Sequence, residues 1–466
     1  MFSSLKNSAT FKQYQLQAQQ LLQRGLDQHI KLAVTGLSRS GKTAFITALV
    51  HHLTEQATKQ NLPFFSVIQS ERLIAAKTVP QSELDITTFP YRDGINSLKQ
   101  GLWPSSTERI NTLRIAIKYR PASGLRAQIS ETQTLLIDLI DYPGEWLMDL
   151  PMLELNFASW SWQQLELLNQ SPRLQHAEAF LNHIAAIDWQ GPVDEQQLTE
   201  LATEYQGLLR KFKDELKLSV LQPGRMLMPG DLAGAPILAF FPLPEVTQAE
   251  EGSMYHHVKT RYQAYVKEVV QGFYQQHFSQ FDRQIVLVDL LDALAQGHDV
   301  FNEQTQAINQ LIRHFSYGKS NFIKRLFQPK IDKLLFAATK SDHLSAHHHK
   351  DLTLLLDSII STAKNDLIFD GVKIDTMAMS SVSATTPVMV EQKGEKLSCI
   401  RGKEIASNQL MTYLPAQPPM RPLTVQEWPQ HGFQFPAFYP DVGSNNGIRH
   451  IRLDHVMEFL LGDKLK

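Results

Sequence analysis

The chain has 466 residues, 43% of them hydrophobic and 20% charged, with a formal net charge of -2. That composition belongs to soluble globular proteins rather than disordered or membrane-spanning ones, and the near-neutral charge excludes a broad nucleic-acid surface, so no nucleic-acid partner is expected. The single cysteine, Cys399, excludes an internal disulfide, no apolar run reaches the ~18 residues of a membrane span, and the N-terminus is polar, so the expectation is a cytoplasmic protein.

Phe11, Tyr14, Leu16, Leu21 and Leu22 lie in a Gln-rich stretch that reads as a helix feeding a first strand, Lys31 to Val34. Directly after that strand stands Gly36-Leu37-Ser38-Arg39-Ser40-Gly41-Lys42-Thr43, which fits G-x-x-x-x-G-K-[ST] at every fixed position. Ala44 to Leu53 follows as a helix, with Phe45, Leu49 and Leu53 at helical spacing. Strand, glycine turn and helix are the context this pattern needs. Gly36 and Gly41 let the backbone wrap closely round a phosphate, and the loop amides and helix N-terminus then point at the anion. Ser38, Arg39, Ser40, Gly41, Lys42, Thr43 and Ala44 are therefore assigned to nucleotide phosphates. Lys42 would neutralise the β- and γ-phosphates, and the Thr43 hydroxyl would ligate Mg²⁺. The chain is longer than one such core requires, so an insertion or second domain is expected.

Asn61 to Ile110 is mixed and turn-rich, with Thr87-Thr88-Phe89-Pro90 and Trp103-Pro104-Ser105-Ser106-Thr107, and a loop of that length is usually functional. Leu113, Ile115, Ile117 and Tyr119 alternate with polar residues, as in an edge strand with one wet face. Leu135 to Ile140 is a second strand, apolar except for Asp138, and it runs into Asp141-Tyr142-Pro143-Gly144. An Asp that ends a buried strand can hold the Mg²⁺ shell while a Gly three residues later senses the γ-phosphate. D-x-x-G is weak alone; one strand beyond a phosphate loop it becomes informative.

Pro151 to Phe281 departs from any compact α/β repeat. Ser171-Pro172 reads as an N-cap and first helical residue. Leu174, Ala177, Phe180, Leu181 and Ile184 make one apolar face, and Leu198, Leu201, Tyr205, Leu208, Phe212 and Leu216 a second. Tyr255, Val258, Tyr262, Val266 and Val269 make a third after the cap Ser253. Such stripes are core. Residues 151–283 are expected to form an inserted helical domain, leaving 1–150 and 284–466 as the nucleotide-binding domain with a C-terminal extension.

Strand character returns at Ile285 to Leu291, followed by a helix around Ala307 to Phe315. The strand Leu334 to Ala338 runs into Thr339-Lys340-Ser341-Asp342, and after a helix over Leu352 to Ile360 the strand Thr376 to Met379 runs into Ser380-Ser381-Val382-Ser383-Ala384. Lys393-Gly394 suggests a hairpin turn, Gln417 to Asp441 is Pro- and aromatic-rich, and a closing helix carries Leu453, Val456, Met457 and Leu460. The run His347-His348-His349 reads as a solvated loop, because consecutive residues do not share a helix face.

Phosphate loop, D-x-x-G, [NT]-K-x-D and S-A, each at a strand end, resemble in their order the GTPase branch of the P-loop NTPases. The resemblance implies that Asp342 accepts hydrogen bonds from N1 and N2 of guanine, that Lys340 lies along the base plane, and that Ser383 and Ala384 contact the guanine carbonyl. Facing adenine, that carboxylate would be left unpaired, a cost of about 1 to 3 kcal/mol. A threonine just before the edge strand completes the metal shell in those proteins, and Thr107 is preferred over Thr87, Thr88 and Thr112 because of the Trp103-Pro104 anchor. Glu145 stands where the small regulatory GTPases carry a water-orienting Gln; it could serve as a base, although a carboxylate beside a γ-phosphate is repelled. Arg39 resembles the arginine of guanylate-binding proteins and atlastins, whose G-x-x-R-x-G-K-[ST] loops carry an arginine finger in cis. The alternative is an Arg39 that points to solvent.

From end to end the chain resembles the bacterial YcjX-type P-loop proteins, which are stress-associated. That resemblance implies a Mg²⁺-dependent GTPase, with GTP as substrate and GDP as product, working in a bacterial stress response. The expected fold is an α/β P-loop NTPase, its sheet mostly parallel with one antiparallel edge strand and an inserted helical domain, and its site at the C-terminal strand ends. A nucleotide-dependent homodimer and a peripheral membrane contact are both compatible with the sequence. Two other readings stay open: a GTP- or GDP-binding assembly or regulatory module with little turnover, and an ATPase in which Thr339 to Asp342 is only a turn.

Overall fold

The computed structural model describes residues 28–36, 39–83, 85–122, 130–246, 249–316, 331–369, 371–443 and 447–466. The helix expected around Phe11 to Leu22 lies outside them, as do Leu37 and Ser38 of the phosphate loop.

An eight-stranded sheet is built from β1 (Gln28–Gly36), β2 (Leu73–Val79), β3 (Thr87–Thr88), β4 (Asn111–Tyr119), β5 (Gln133–Asp141), β6 (Arg283–Val288), β7 (Lys333–Ala338) and β8 (Lys373–Ala378). Its order is β2-β4-β5-β1-β6-β7-β8, with β3 beside β4. β1 pairs in parallel with β5 and β6, as does β7 with β6 and β8, while β4 runs antiparallel to β5 and β2. Ile30, Leu32 and Val34 of β1 face one core and Ala33 the other, so the central strand is buried on both sides.

The reversed strand is not the edge. β2 covers it, and Ile115, Ile117 and Tyr119 of β4 are each 0% exposed. Residues 73–79 carry no period-2 signal, since only Leu73, Ala76 and Val79 are even half-buried. Their strand character comes from pairing with β4 rather than from amphipathic patterning.

The helices Phe157–Leu168, Leu174–Ala185, Glu195–Asp214 and Met254–Ala264 lie between β5 and β6 in the chain. Asn156, Asp194 and Ser253 cap three of them, each side chain accepting a backbone N–H of the first turn. The helix expected to start at Pro172 starts instead at Leu174, because Ser171 to Arg173 form a turn that delivers the Arg173 guanidinium to buried Glu303, 2.7 Å away. Trp160, Phe180, Tyr205 and Tyr262 share one buried cluster with Ala33, Val286 and Phe336, so this helical segment packs directly on a face of the sheet. The opposite face is covered by the helices Lys42–Thr54 and Leu453–Leu461.

Beyond the main sheet, β9 (Thr385–Gln392), β10 (Glu395–Lys403) and β11 (Leu410–Tyr413) form an antiparallel meander. Its first turn, Lys393-Gly394, has φ of 52° and 82°, as a two-residue hairpin turn requires. His349 is not in a solvated loop: it is buried and opens the helix His349–Phe369, which needs that position for packing, while His348 Nδ1 lies 2.9 Å from Asp351. Among the described residues no group of three or more His, Cys, Asp or Glu could hold a metal ion, and no helix is long and apolar enough to cross a membrane.

Candidate functional site

β1, β5, β7 and β8 all end on one side of the sheet, and the loops that leave them meet there. At the end of β1 a Cβ on Gly36 would lie 2.1 Å from Ser40 Oγ and 2.9 Å from the Leu287 carbonyl, so only glycine lets the chain turn back on itself. Gly41 has φ +85° and caps the helix Lys42–Thr54. Arg39 adopts a left-handed φ of 63° without a glycine's freedom, a conformation concentrated at functional sites. It is exposed, and among the described residues it makes no hydrogen bond or ion pair. Lys42 Nζ reaches back to the Gly36 carbonyl at 3.2 Å.

Three oxygen-bearing side chains converge beside Lys42. Thr43 Oγ1 is 3.4 Å from Thr107 Oγ1, which donates in turn to Asp141 Oδ2. Asp141 is 1% exposed; burial pushes its carboxyl up to about 6, against the pull of Lys42 and the Thr107 hydroxyl. Its other oxygen, Oδ1, is buried with no partner among the described residues. Two hydroxyls and a carboxylate with an orphaned oxygen are hard donors, and Mg²⁺ takes one or two such protein ligands while sharing phosphate oxygens. The residues present therefore fit that ion.

The chain after Asp141 enters a 3₁₀ stretch, Gly144–Glu154, which the helical segment grips. Glu145 Oε1 lies 2.7 Å from Lys213 Nζ, in the last turn of the helix Glu195–Asp214. Burial would raise the Glu145 carboxyl, but the ammonium groups of Lys213 and Lys42 outweigh it and hold the group below the usual range. A Cβ on Gly224 would stand 1.9 Å from the Glu145 carbonyl, so the two backbones touch. Trp146 Nε1 donates to the Met228 carbonyl at 2.9 Å, and the Arg225 guanidinium sits 3.5 Å from the Trp146 ring centre. Asp149 accepts from the backbone N–H groups of Gly224 and Arg225, at 2.7 and 3.2 Å, and from the Tyr265 hydroxyl at 2.5 Å.

On the far side, Lys340 has φ 59° and its ammonium is paired with Asp289. Burial lowers the Lys340 pKa, but Asp289 more than reverses that. Asp289 also caps the helix Leu290–Gln296, accepting from Asp292 N at 3.1 Å. Asp342 is 5% exposed, with Oδ1 accepting from Ser380 Oγ and Oδ2 from Ala384 N, both at 2.7 Å.

These pieces enclose a cavity of about 340 Å³, walled by the phosphate loop from Arg39 to Ala44, by Trp103 and Thr107, by Glu145 and Lys213, and by Thr339, Lys340 and Ser380 to Val382. Asp342, Ser383 and Ala384 do not line it. The wall beside Lys340 is formed by Ser380, Ser381 and Val382, immediately beyond β8, whereas the literal S-A pair lies farther along the loop and is tied to Asp342. Sequence reasoning missed Asp289, Lys213 and Ser380 to Val382. Asp289 carried a usable signal, because it directly follows β6 much as Asp141 ends β5; Lys213 carried none, being one polar residue beside an apolar helix stripe.

A mostly parallel sheet with a G-x-x-x-x-G-K-[ST] loop at its C-terminal edge, one reversed strand and an inserted helical segment defines a P-loop protein of GTPase-like architecture. The chain belongs to the YcjX-like family (DUF463), which matches residues 30–465. It is 40% identical over 457 residues to a protein of Escherichia coli (strain K12) named "Ras-like GTPase YcjX", an alignment covering 96% of this chain and 98% of the relative. A protein of the same name from Shewanella oneidensis is 40% identical over 475 residues, covering 96% of this chain and 97% of the relative.

Proposed function

We propose that this chain binds GTP together with Mg²⁺ and hydrolyses it to GDP and phosphate, the segments around Thr107 and Gly144 moving with the nucleotide. The observation that carries the reading is the convergence of Thr43, Thr107 and Asp141 beside Lys42, with Asp141 Oδ1 buried and unpaired. The names of the two relatives support it. In this reading the amides from Ser38 to Ala44 and of Gly144 cradle the phosphates, and Lys42 neutralises them. Thr43, Thr107 and Asp141 hold the Mg²⁺, which when bound offsets phosphate charge. Arg39, in the loop and without a partner among the described residues, turns onto the transferring phosphoryl group as its charge develops. Glu145, its charge screened by Lys213, orients the attacking water. At the base, Lys340 and Ser380 to Val382 form the wall, and Ser383 and Ala384 hold the loop behind it. Asp342 keeps an unused lone pair on each oxygen for the two guanine donors.

Residues 151–283 act here as an inserted domain on a nucleotide domain formed by 1–150 and 284–466. The family resemblance is the support for a role in a bacterial stress response, and the single cysteine, Cys399, for a cytoplasmic location.

Calorimetric titration of GTP, GDP and ATP, with and without Mg²⁺, tests the reading. GTP and GDP should bind, ATP at least about tenfold more weakly, and Lys42→Ala should lose about 1.5 to 3 kcal/mol, the range for hydrogen bonds to charged groups. A second reading, an ATPase, is favoured by one observation: Asp342 does not line the cavity. Equal affinity for ATP would establish it in place of the first, and tight GTP binding without phosphate release would leave a binding module.

A further inference from the structure

The helical segment brings a cation of its own to the phosphate end of the cavity. Lys213 lines the same space as Arg39, Lys42 and Thr43, with its side chain 18% exposed and that of its partner Glu145 13% exposed. The pair is therefore largely withdrawn from water, where charges act on one another strongly. Apart from Glu145, Lys213 Nζ has the Met228 sulfur at 3.6 Å, a weak acceptor. An ammonium carries three donors, so one donor and much of its charge remain for a further anion. Glu145 is drawn on by Lys42 as well as by Lys213. A terminal phosphate seated on Lys42 takes up that lysine's field, leaving Glu145 dependent on Lys213 and placing a second anion in the cavity that Lys213 lines.

We propose that Lys213 is a second phosphate-binding lysine, supplied by the inserted segment, which contacts the γ-phosphate of a bound nucleoside triphosphate while keeping its hold on Glu145; with a diphosphate it stays on Glu145 alone. The proposal rests on the nucleotide reading of the cavity. The packing around the pair turns that contact into a signal. Gly224 lies against the Glu145 carbonyl, Met228 holds Trp146, and Gly224 and Arg225 hold Asp149, so Glu145 to Asp149 are fastened to the same unit that carries Lys213. The triphosphate therefore draws this joined unit onto the phosphate loop, and loss of its terminal phosphate releases it, a closure driven by a γ-phosphate contact.

The test measures affinity for GDP and for a non-hydrolysable GTP analogue, in Mg²⁺, on the full chain and on Lys42→Ala, Lys213→Ala, Lys213→Arg and the double variant Lys213→Ala/Glu145→Ala. Lys213→Ala should weaken the analogue at least tenfold and leave GDP within twofold, and Lys213→Arg should recover most of the loss. The double variant carries no stranded carboxylate, so it decides the matter even where Lys213→Ala does not fold, and it should bind the analogue as poorly. Wild-type discrimination in the double variant would show that Lys213 serves only Glu145, and would overturn the proposal. Hydrogen exchange over residues 195–228 should be slower with the analogue than with GDP in the wild type and equal in the variants; protection that persists without Lys213 would also overturn it. A wild-type chain that binds neither nucleotide, or binds both regardless of Lys42→Ala, would refute the nucleotide reading itself and this proposal with it. Binding that needs Lys42 but ignores Lys213 would refute this proposal alone.

Discussion

At the phosphate end of the cavity Asp141 keeps one carboxylate oxygen buried and unpaired, whereas at the base end Asp342 has both oxygens taken, by Ser380 Oγ and Ala384 N. Among the described residues Ser40 Oγ is likewise buried without a partner, and Arg39 in the same loop makes no hydrogen bond or ion pair. Across the cavity Lys340 is already clasped by Asp289, Thr385 Oγ1 donates to the Asp342 carbonyl at 2.5 Å, and the His343 ring packs on Phe438 at 5.1 Å. A buried polar atom left unmade costs about 1 to 3 kcal/mol. The chain bears that cost at Asp141 and Ser40, and at the base end it bears it at Ser341 Oγ but not at Asp342. In the proposed reading a ligand would gain most from the unpaired Asp141 oxygen at the phosphate end, while Asp342, held by its own loop, would select what fits at the base end.

The largest departure from that comparison should come from Arg39, which lines the phosphate end and makes no hydrogen bond or ion pair among the described residues. In single-turnover hydrolysis at saturating GTP and Mg²⁺, Arg39→Ala should lower the rate by on the order of 10³. Arg39→Lys should recover only part, because a lysine keeps the charge but not the planar fork. GTP affinity should change less than for Lys42→Ala. Runs at several protein concentrations expose any contribution from a homodimer. A rate for Arg39→Ala within a factor of about two of wild type at every concentration would leave Arg39 a surface residue and remove one of the three unmade partners from the phosphate end.

A next smaller effect concerns what supports that end from behind. Burial pushes the Asp149 carboxyl up to about 6 from an ordinary 3.8, and the Tyr265 hydroxyl with the Gly224 and Arg225 amides offsets this only partly. Between those values the folded chain binds more protons than the unfolded one, so stability falls as pH rises. The contribution of Asp149 is fully present below pH 3.8 and lost as pH rises through about 6, a change of roughly 3 kcal/mol. Asp149→Asn does not titrate. In urea unfolding, the stability of the wild type relative to this variant should therefore drop by that amount between pH 4 and 7. A flat difference would mean that the ionised Asp149 carboxylate is fully compensated in the folded chain, and that the support of the phosphate end stores no such cost.

How much of this was legible in the sequence follows the same division. The phosphate loop, Asp141 and Thr107 could be read from motif and order, because their chemistry sits at strand ends that hydrophobic runs announce, such as Leu135 to Ile140. Among the competing threonines the structure brings Thr107 beside Thr43, while Thr87 bonds the Ile110 carbonyl and Asn111, and Thr112 bonds Gln81. β2 was not legible, since a strand exposed along most of its length leaves no alternation to find. Lys213 reaches Glu145 from a distant helix, and no local spacing encodes that meeting. At the base end literal matching favoured Ser383-Ala384, whereas the distance of a residue from the end of β8 decides which part of the loop borders the cavity.

The smallest effect should come at the base end, where one atom pair can be exchanged without disturbing the fold. In Asp342→Asn the amide oxygen can keep the Ala384 N–H, and the new NH₂ can donate to Ser380 Oγ. That hydroxyl is free to do so because it can give its own hydrogen to the Val382 carbonyl, 3.1 Å away. The loop from Ser380 to Ala384 therefore stays closed, and the melting temperature should shift by no more than a few degrees, the consequence of under about 1 kcal/mol in a chain of this size. Only the face toward the base changes. An amide presents a donor where guanine also presents donors, so GTP should weaken by about 1 to 3 kcal/mol, the cost of an unmade buried hydrogen bond. Xanthosine triphosphate, with an acceptor at that position, should gain. The Mg²⁺ dependence, set at the other end, should not move. Competition between GTP and xanthosine triphosphate for the variant reads all three. If GTP binds the variant as it binds the wild type and the xanthine nucleotide gains nothing, Asp342 is a clasp for its own loop alone, and the base is read by Lys340 and Ser380 to Val382 without it.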